Sequence, residues 1–123
     1  MWAGGTGVDV VVDPVGGELA EPALRALGDA GRFLVIGFAS GTIPMMPLNQ
    51  VLLRNRTVLG IDWGIWAMRH AGEQQGLLDD LLAMVEEGTL DPVHPARYPL
   101  EDVARALDDL LGRRTVGKIA LIP

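Results

Sequence analysis

Two short apolar runs, residues 8–13 (VDVVVD) and 32–38 (RFLVIGF), flank a stretch with helical spacing, and each empties into a glycine-containing turn. Runs this short, rich in β-branched residues and apolar on both faces, predict central strands of a parallel sheet. Pro14 and Gly16-Gly17 end the first run, because proline lacks a ladder donor and glycine permits a sharp exit. Between the runs, Leu19, Ala23, Leu24 and Leu27 recur on one face over residues 18–27, with Glu18 and Glu21 favouring the N-terminus of a helix. Gly28 and Gly31 are expected to stop it. Strand, helix, strand in this order predicts a right-handed parallel crossover.

Beyond Gly41, Pro44 and Pro47 mark a loop, and residues 48–55 predict a short helix with Leu48, Val51 and Leu52 inward. Residues 57–61 (TVLGI) read as a third strand. Its shortness, interior Gly60 and flanking Arg54 and Arg56 point to a sheet edge, where charge limits stray pairing. Residues 62–72, with Trp63, Gly64, Trp66 and His70, read as loop or irregular helix. Residues 73–87 form the most regular helical pattern: Leu77, Leu78, Leu81, Leu82 and Val85 make one stripe, and Gly88 caps it. Pro92, Pro95 and Pro99 demand an extended chain. Residues 100–111 predict a further helix with Leu100, Val103, Ala104, Leu107, Leu110 and Leu111 inward, and residues 118–122 (KIALI) a final strand. The architecture is therefore α/β, with a βαβ unit first and a helix-strand tail.

A chain of 123 residues fits one domain of ordinary size. Its 49% hydrophobic content and mean hydropathy of +0.26 leave apolar surface to spare. That surplus predicts a partner, either a second copy or another part of the same polypeptide. Only the seven residues MWAGGTG precede the first strand, whereas sheets of this kind have their phosphate-binding loop upstream, so the chain is expected to be part of a larger protein. A net charge of −6 without a basic stripe argues against nucleic acid. The absence of cysteine rules out disulfides and thiolate metal sites. No apolar run approaches the roughly 20 residues that cross a bilayer, and the chain reads as cytoplasmic.

Ligands of open parallel sheets gather at the carboxyl ends of the strands. Two turns hold that position, Asp13-Pro14-Val15-Gly16-Gly17 and Gly37-Phe38-Ala39-Ser40-Gly41. Each alone could be no more than a turn; two in one βαβ unit favour ligand contact. Ser40 is not a nucleophile elbow, because its glycines stand at the wrong spacing. Gly4-Gly5-Thr6-Gly7 precedes a strand instead of following one, so it is a loop and not a dinucleotide fingerprint. His70 and His94 are too isolated for a metal site. Asp79-Asp80, Glu86-Glu87 and Asp108-Asp109 fall on polar helix faces. Asp13, at a strand end, is either a site residue or the brace of its turn. No nucleophile-base set and no carboxylate pair appears, so no catalytic residue is assigned.

The ordered set GVDVVVDPVGG, GRFLVIGFASG, NQVLLRNRTVLGIDWG, EEGTL, YPLEDVARAL and VGKIALIP resembles the C-terminal part of quinone oxidoreductase-like members of the medium-chain dehydrogenase/reductase superfamily, from Gly7 to Pro123. The resemblance implies a parent with a GroES-like catalytic domain and a six-stranded Rossmann domain that binds NADPH. Residues 1–88 would be the second half of that Rossmann domain, supplying strands four to six, and residues 89–123 the segment returning to the catalytic domain. It further implies that Val15 and Gly16 lie near the adenosine side. Gly37, Phe38, Ala39 and Ser40 would line the nicotinamide ribose. Ile61, Asp62 and Trp63 would approach the nicotinamide ring, and Lys118 would reach towards the phosphates. In the family the pyrophosphate loop and the substrate walls come earlier in the chain. The expectation is therefore weak or absent NADPH binding, and no quinone or enone reduction, by these residues alone. The family also pairs subunits through the strand from Thr57 to Ile61, which implies a homodimer. The alternative reading is a non-enzymatic α/β oligomerisation module or a truncated gene product.

Overall fold

The structure, a computed structural model, describes residues 6–123, so the expected loop at Gly4 to Gly7 lies partly outside the described residues. The chain divides into two compact units, Met1–Ala71 and Gly72–Pro123. The division falls one residue into the long leucine-rich helix.

The first unit holds β1 (Val8–Asp13), a 3-10 turn (Gly17–Leu19), α1 (Ala20–Ala26), β2 (Leu27–Val35), α2 (Leu48–Leu52), β3 (Thr57–Gly60) and α3 (Trp63–Arg69). The strands form one parallel sheet in the order β1-β2-β3. Val10 to Asp13 run opposite Arg32 to Val35, which in turn run opposite Thr57 to Gly60. The α/β class and the parallel crossover are thus as the sequence predicts. Leu24, Leu27, Phe33 and Ala20 are the buried core, with Val8, Val11, Ala23, Val35, Met46 and Val51 packed around them. Burial of each of the three large side chains contributes about 1.5–3 kcal/mol.

Several expectations need correcting. Within this three-stranded sheet β2 is central; among the described residues β1 pairs on one side only, which leaves Val10 and Val12 exposed. The helix starts at Ala20, which leaves Leu19 exposed in the 3-10 turn. It ends at Ala26, so Gly28 and Gly31 do not stop it but lie inside β2, in the stretch where pairing with β1 slips register between Val8 and Val10 of that strand. A side chain on Gly28 would come within 2.7 Å of the Thr6 carbonyl oxygen, so glycine there permits a close backbone approach. In α2 only Val51 turns inward; Leu48 and Leu52 are exposed.

Arg54 and Arg56 do not act alike. Arg54 is exposed and meets Asp29 at 3.2 Å. Arg56, by contrast, is buried and donates to four carbonyls: Gly28 at 3.2 Å, Gln50 at 3.3 Å, Arg25 at 3.4 Å, and Leu27. Its guanidinium therefore ties the end of α1 and the start of β2 to α2, instead of guarding an edge. Burial, with Arg54 nearby, holds its pKa below the ordinary arginine value.

The second unit comprises most of α4 (Ala71–Glu86), then β4 (Ala96–Pro99), a 3-10 turn (Leu100–Asp102), α5 (Val103–Leu111) and β5 (Ile119–Ile122), with β4 and β5 paired in parallel. Gly88 ends α4 as expected, its N–H donating to Val85 O at 3.1 Å. The α4 stripe does not become core: Leu77, Leu78, Leu81, Leu82 and Val85 are all exposed. On α5 only Ala106 is buried, whereas Leu100, Val103, Ala104, Leu107, Leu110 and Leu111, predicted inward, are not. Besides α4, this unit holds only two four-residue strands, a 3-10 turn and a nine-residue helix, too little surface to cover them. A polar node takes over: the Tyr98 hydroxyl donates to Asp109 Oδ2 at 2.9 Å, and Arg114 Nε donates to Asp109 Oδ1 at 2.7 Å. These bonds hold the Asp109 carboxyl below the usual carboxylate range, Arg114 foremost and Tyr98 next. Among the described residues no helix is long and apolar enough to cross a membrane, and no three acidic or histidine side chains are grouped to hold a metal.

Candidate functional site

The two turns that follow β1 and β2 are built as one ledge. Asp13, 8% exposed, accepts at Oδ1 from Val15 N at 2.9 Å and Gly16 N at 2.8 Å. Its carbonyl accepts from Ile36 N at 2.9 Å, the Pro14 carbonyl from Ala39 N at 3.1 Å, and the Val15 carbonyl from Ser40 N at 3.0 Å. Asp13 is therefore the brace of its turn, its side-chain oxygen accepting from two backbone N–H groups that converge on it.

Gly16 adopts φ 67° and ψ −147°, a region essentially closed to other residues. A Cβ there would stand 2.8 Å from Phe38 Cδ1 and 3.1 Å from Thr42 O. The first turn thus seats the Phe38 ring of the second. Ser40 lies behind them, its Oγ accepting from Thr42 N at 3.3 Å, a loop-stabilising contact with no base beside it.

At the carboxyl ends of β2 and β3 an open cleft of about 680 Å³ is lined by Val35, Ile36, Gly37, Phe38, Gly60, Ile61, Asp62, Trp63 and Gly64. Its size is that of a cofactor or small-molecule site. The structure therefore brings together five of the residues singled out in the sequence: Gly37, Phe38, Ile61, Asp62 and Trp63. Val15, Gly16, Ala39 and Ser40 form the ledge beside it and do not line it. Lys118 belongs to the second unit, immediately before β5, where its carbonyl accepts from Ala96 N at 3.0 Å.

Val35, Ile36, Gly60 and Gly64 line the cleft without having been singled out for it. Gly60 carried a legible signal, because glycine weakens a strand unless something must approach its backbone. A Cβ at Gly60 would meet nothing within 4 Å, so its bare backbone opens directly onto the cleft. Val35, Ile36 and Gly64 carried none.

Among the described residues Asp62 is the only charged one lining the cleft. Its Oδ1 accepts from Ile65 N at 3.0 Å and caps α3, which makes a regular helix of a segment read as loop or irregular helix. The floor thus offers backbone, flat aromatic surface and no cation. It suits an uncharged ring and sugar, and it lacks the basic groups that hold a pyrophosphate.

The family model for the zinc-binding dehydrogenases matches residues 1–121 of the chain. The chain belongs to the zinc-binding dehydrogenase family. Quinone oxidoreductase-like protein 2 of Bos taurus is 36% identical over 118 residues, covering 96% of this chain and 34% of its own length. The same-named protein of Rattus norvegicus is 33% identical over a similar span. Among solved structures, mycobacterial Rv1454c complexed with NADPH superposes with a TM-score of 0.82 at 29% identity, covering 98% of this chain and 37% of that one. The quinone oxidoreductase of Pseudomonas syringae pv. Tomato DC3000 gives 0.78 at 30% identity, covering 97% and 37%. The resemblance read from the motifs is borne out, as is the half-Rossmann α/β fold. The chain spans about a third of the length of the curated relatives it matches.

Proposed function

We propose that this chain is the C-terminal portion of an NADPH-dependent quinone or enone oxidoreductase and supplies the nicotinamide-side half of its cofactor site. The observation that carries the reading is the cleft at the ends of β2 and β3, floored by Gly60 and walled by Gly37, Phe38, Ile61, Asp62 and Trp63. NADPH, when bound, supplies the hydride. The chain's own part is to orient: Gly37 and Gly60 allow a flat ring near the backbone, Phe38 and Trp63 flank it, and the Asp13-braced ledge fixes Phe38. Residues 1–88 are assigned to the Rossmann domain and residues 89–123 to the returning segment. The resemblance gives Lys118 to the phosphates and Val15 and Gly16 to the adenosine side.

Because the cleft offers no cation to a pyrophosphate, the chain alone binds NADPH weakly and positions no substrate. The test is quinone-dependent NADPH oxidation by the purified chain. No turnover is expected above the uncatalysed rate; catalytic turnover with menadione overturns the division of the site.

A second reading, a non-enzymatic association module, draws on β3, exposed along its whole length and paired on one side only. In either reading the strand from Thr57 to Ile61 is proposed to join two copies edge to edge. Sedimentation at micromolar concentration is expected to show a dimer, and a monomer alone counts against that pairing.

A further inference from the structure

Of the ten lysine and arginine residues in the chain, Lys118 is the only lysine. Its carbonyl accepts from Ala96 N at 3.0 Å, which carries the parallel ladder of β4 and β5 one residue ahead of β5. Ala96 lies opposite Ile119, and Arg97 opposite Ala120. Successive side chains of a strand alternate between faces, so Ala96, Tyr98, Ile119 and Leu121 share one face, and Arg97 and Lys118 share the other. The first face is committed to packing. Tyr98 bonds Asp109 of α5, its hydroxyl lies 3.2 Å from Thr115 Oγ1, and the Arg105 guanidinium sits 5.2 Å from the centre of its ring.

On the second face Arg97 and Lys118 are both exposed. The spacing and rise of strands put their Cα atoms about 8 Å apart, within joint reach of two long side chains. Four arginines, Arg25, Arg54, Arg105 and Arg114, each meet a carboxylate within 3.2 Å. Among the described residues no carboxylate pairs with Arg97 or Lys118. Like charges on neighbouring strand positions repel, and neither β4 nor β5 contributes an acidic side chain to separate them.

We infer that Arg97 and Lys118 form a two-cation clamp for a diphosphate group. Arg97 presents a planar fork that holds two oxygens of one phosphate, and Lys118 a compact charge for the neighbouring phosphate. The clamp follows from the ribbon; that the diphosphate belongs to the dinucleotide rests on the function proposed above. Arg97 then shares the phosphate role that the resemblance gives to Lys118 alone. Because both cations are exposed, solvent and salt screen their contacts and the affinity is millimolar. That weakness agrees with weak NADPH binding by the chain alone.

The test is a set of NMR titrations of the full chain, at fixed ionic strength, with inorganic pyrophosphate, orthophosphate and NADPH. The signals read are the amides of Arg97 and Lys118 and the isotopically labelled side chain of the single lysine. Pyrophosphate is expected to shift all three saturably at millimolar concentration, and orthophosphate to bind about threefold more weakly. Arg97→Gln and Lys118→Gln are each expected to weaken pyrophosphate binding about fivefold. The remaining β4 and β5 amides report whether the ribbon of each variant stays paired. Pyrophosphate that moves neither residue, that moves Lys118 as readily in Arg97→Gln as in the parent, or that binds no better than orthophosphate overturns the clamp. If NADPH shifts the Gly37 to Ser40 amides while pyrophosphate leaves the ribbon unmoved, the clamp alone is wrong. If pyrophosphate behaves as expected while NADPH moves neither Arg97 nor Lys118, the clamp stands for a free diphosphate and its assignment to the dinucleotide falls.

Discussion

Replacing Arg56 tests the packing that sets β2 against α2. The guanidinium is 6% exposed and serves four backbone carbonyls, two of which, on Gly28 and Leu27, are themselves buried. Arg56→Met keeps the aliphatic stem and deletes every donor. Each buried acceptor left unpaired costs about 1–3 kcal/mol, so the gross loss is roughly 2–6 kcal/mol. Against this, the variant no longer buries a charge, a desolvation cost of several kcal/mol that interactions only partly offset. The lowered pKa of Arg56 shows that cost acting on the charged form. Four acceptors around one fork make the bonds the larger effect, and the net expected loss is about 3 kcal/mol. That is a large share of the roughly 5–15 kcal/mol that holds a domain together. Arg56→Lys keeps the charge but reaches fewer carbonyls, so its loss should be intermediate, about 1–2 kcal/mol. Urea unfolding of the full chain followed by far-UV circular dichroism measures both. A Met variant as stable as the parent would refute the reasoning, because it would mean that desolvation cancels the four bonds.

Gly16→Ala forces a side chain into a glycine-only conformation and against the Phe38 ring, so a loss of about 1–3 kcal/mol is expected, together with a displaced Phe38 signal in NMR spectra. An unchanged midpoint and an unmoved ring would contradict the seating of one turn by the other. Asp109 has its pKa lowered in the fold, so the stability it contributes is complete above its ordinary value of 3.8 and is lost as pH falls from there through the lowered native value. Asp109→Asn should flatten the acid limb of an unfolding profile in that window and leave the slope near neutral pH unaltered. An acid limb identical to the parent's would show that the Tyr98–Asp109–Arg114 node is not coupled to folding.

The limits of β1 and the start of β3 were legible because short β-branched runs between glycines and prolines have few alternatives. The break between α1 and β2 was not. Leu27 ends a helical stripe by its spacing, yet it opens the strand, since its pairing with Val8 outweighs local preference. Arg56 was misread for a related reason: a charge beside a strand looks like edge protection until the four carbonyls converging on it are known. The stripes of α4 and α5 showed the helices correctly but carried no information about whether this chain provides the surface to cover them. At the site, Gly37, Phe38, Ile61, Asp62 and Trp63 followed from family resemblance and strand-end position. Gly60 was visible in the pattern and was attributed to an edge. That α3 is a regular helix was not legible, because its capping by Asp62 is a single hydrogen bond that spacing alone does not single out.

The most direct test of the half-site is an amide-resolved titration of the full chain with NADPH. The account predicts a dissociation constant weaker than about 1 mM, less than about 4.1 kcal/mol of binding, with shifts centred on Gly37 to Ser40 and Ile61 to Trp63. Saturation at micromolar NADPH, or a spectrum in which those amides never move, would contradict it.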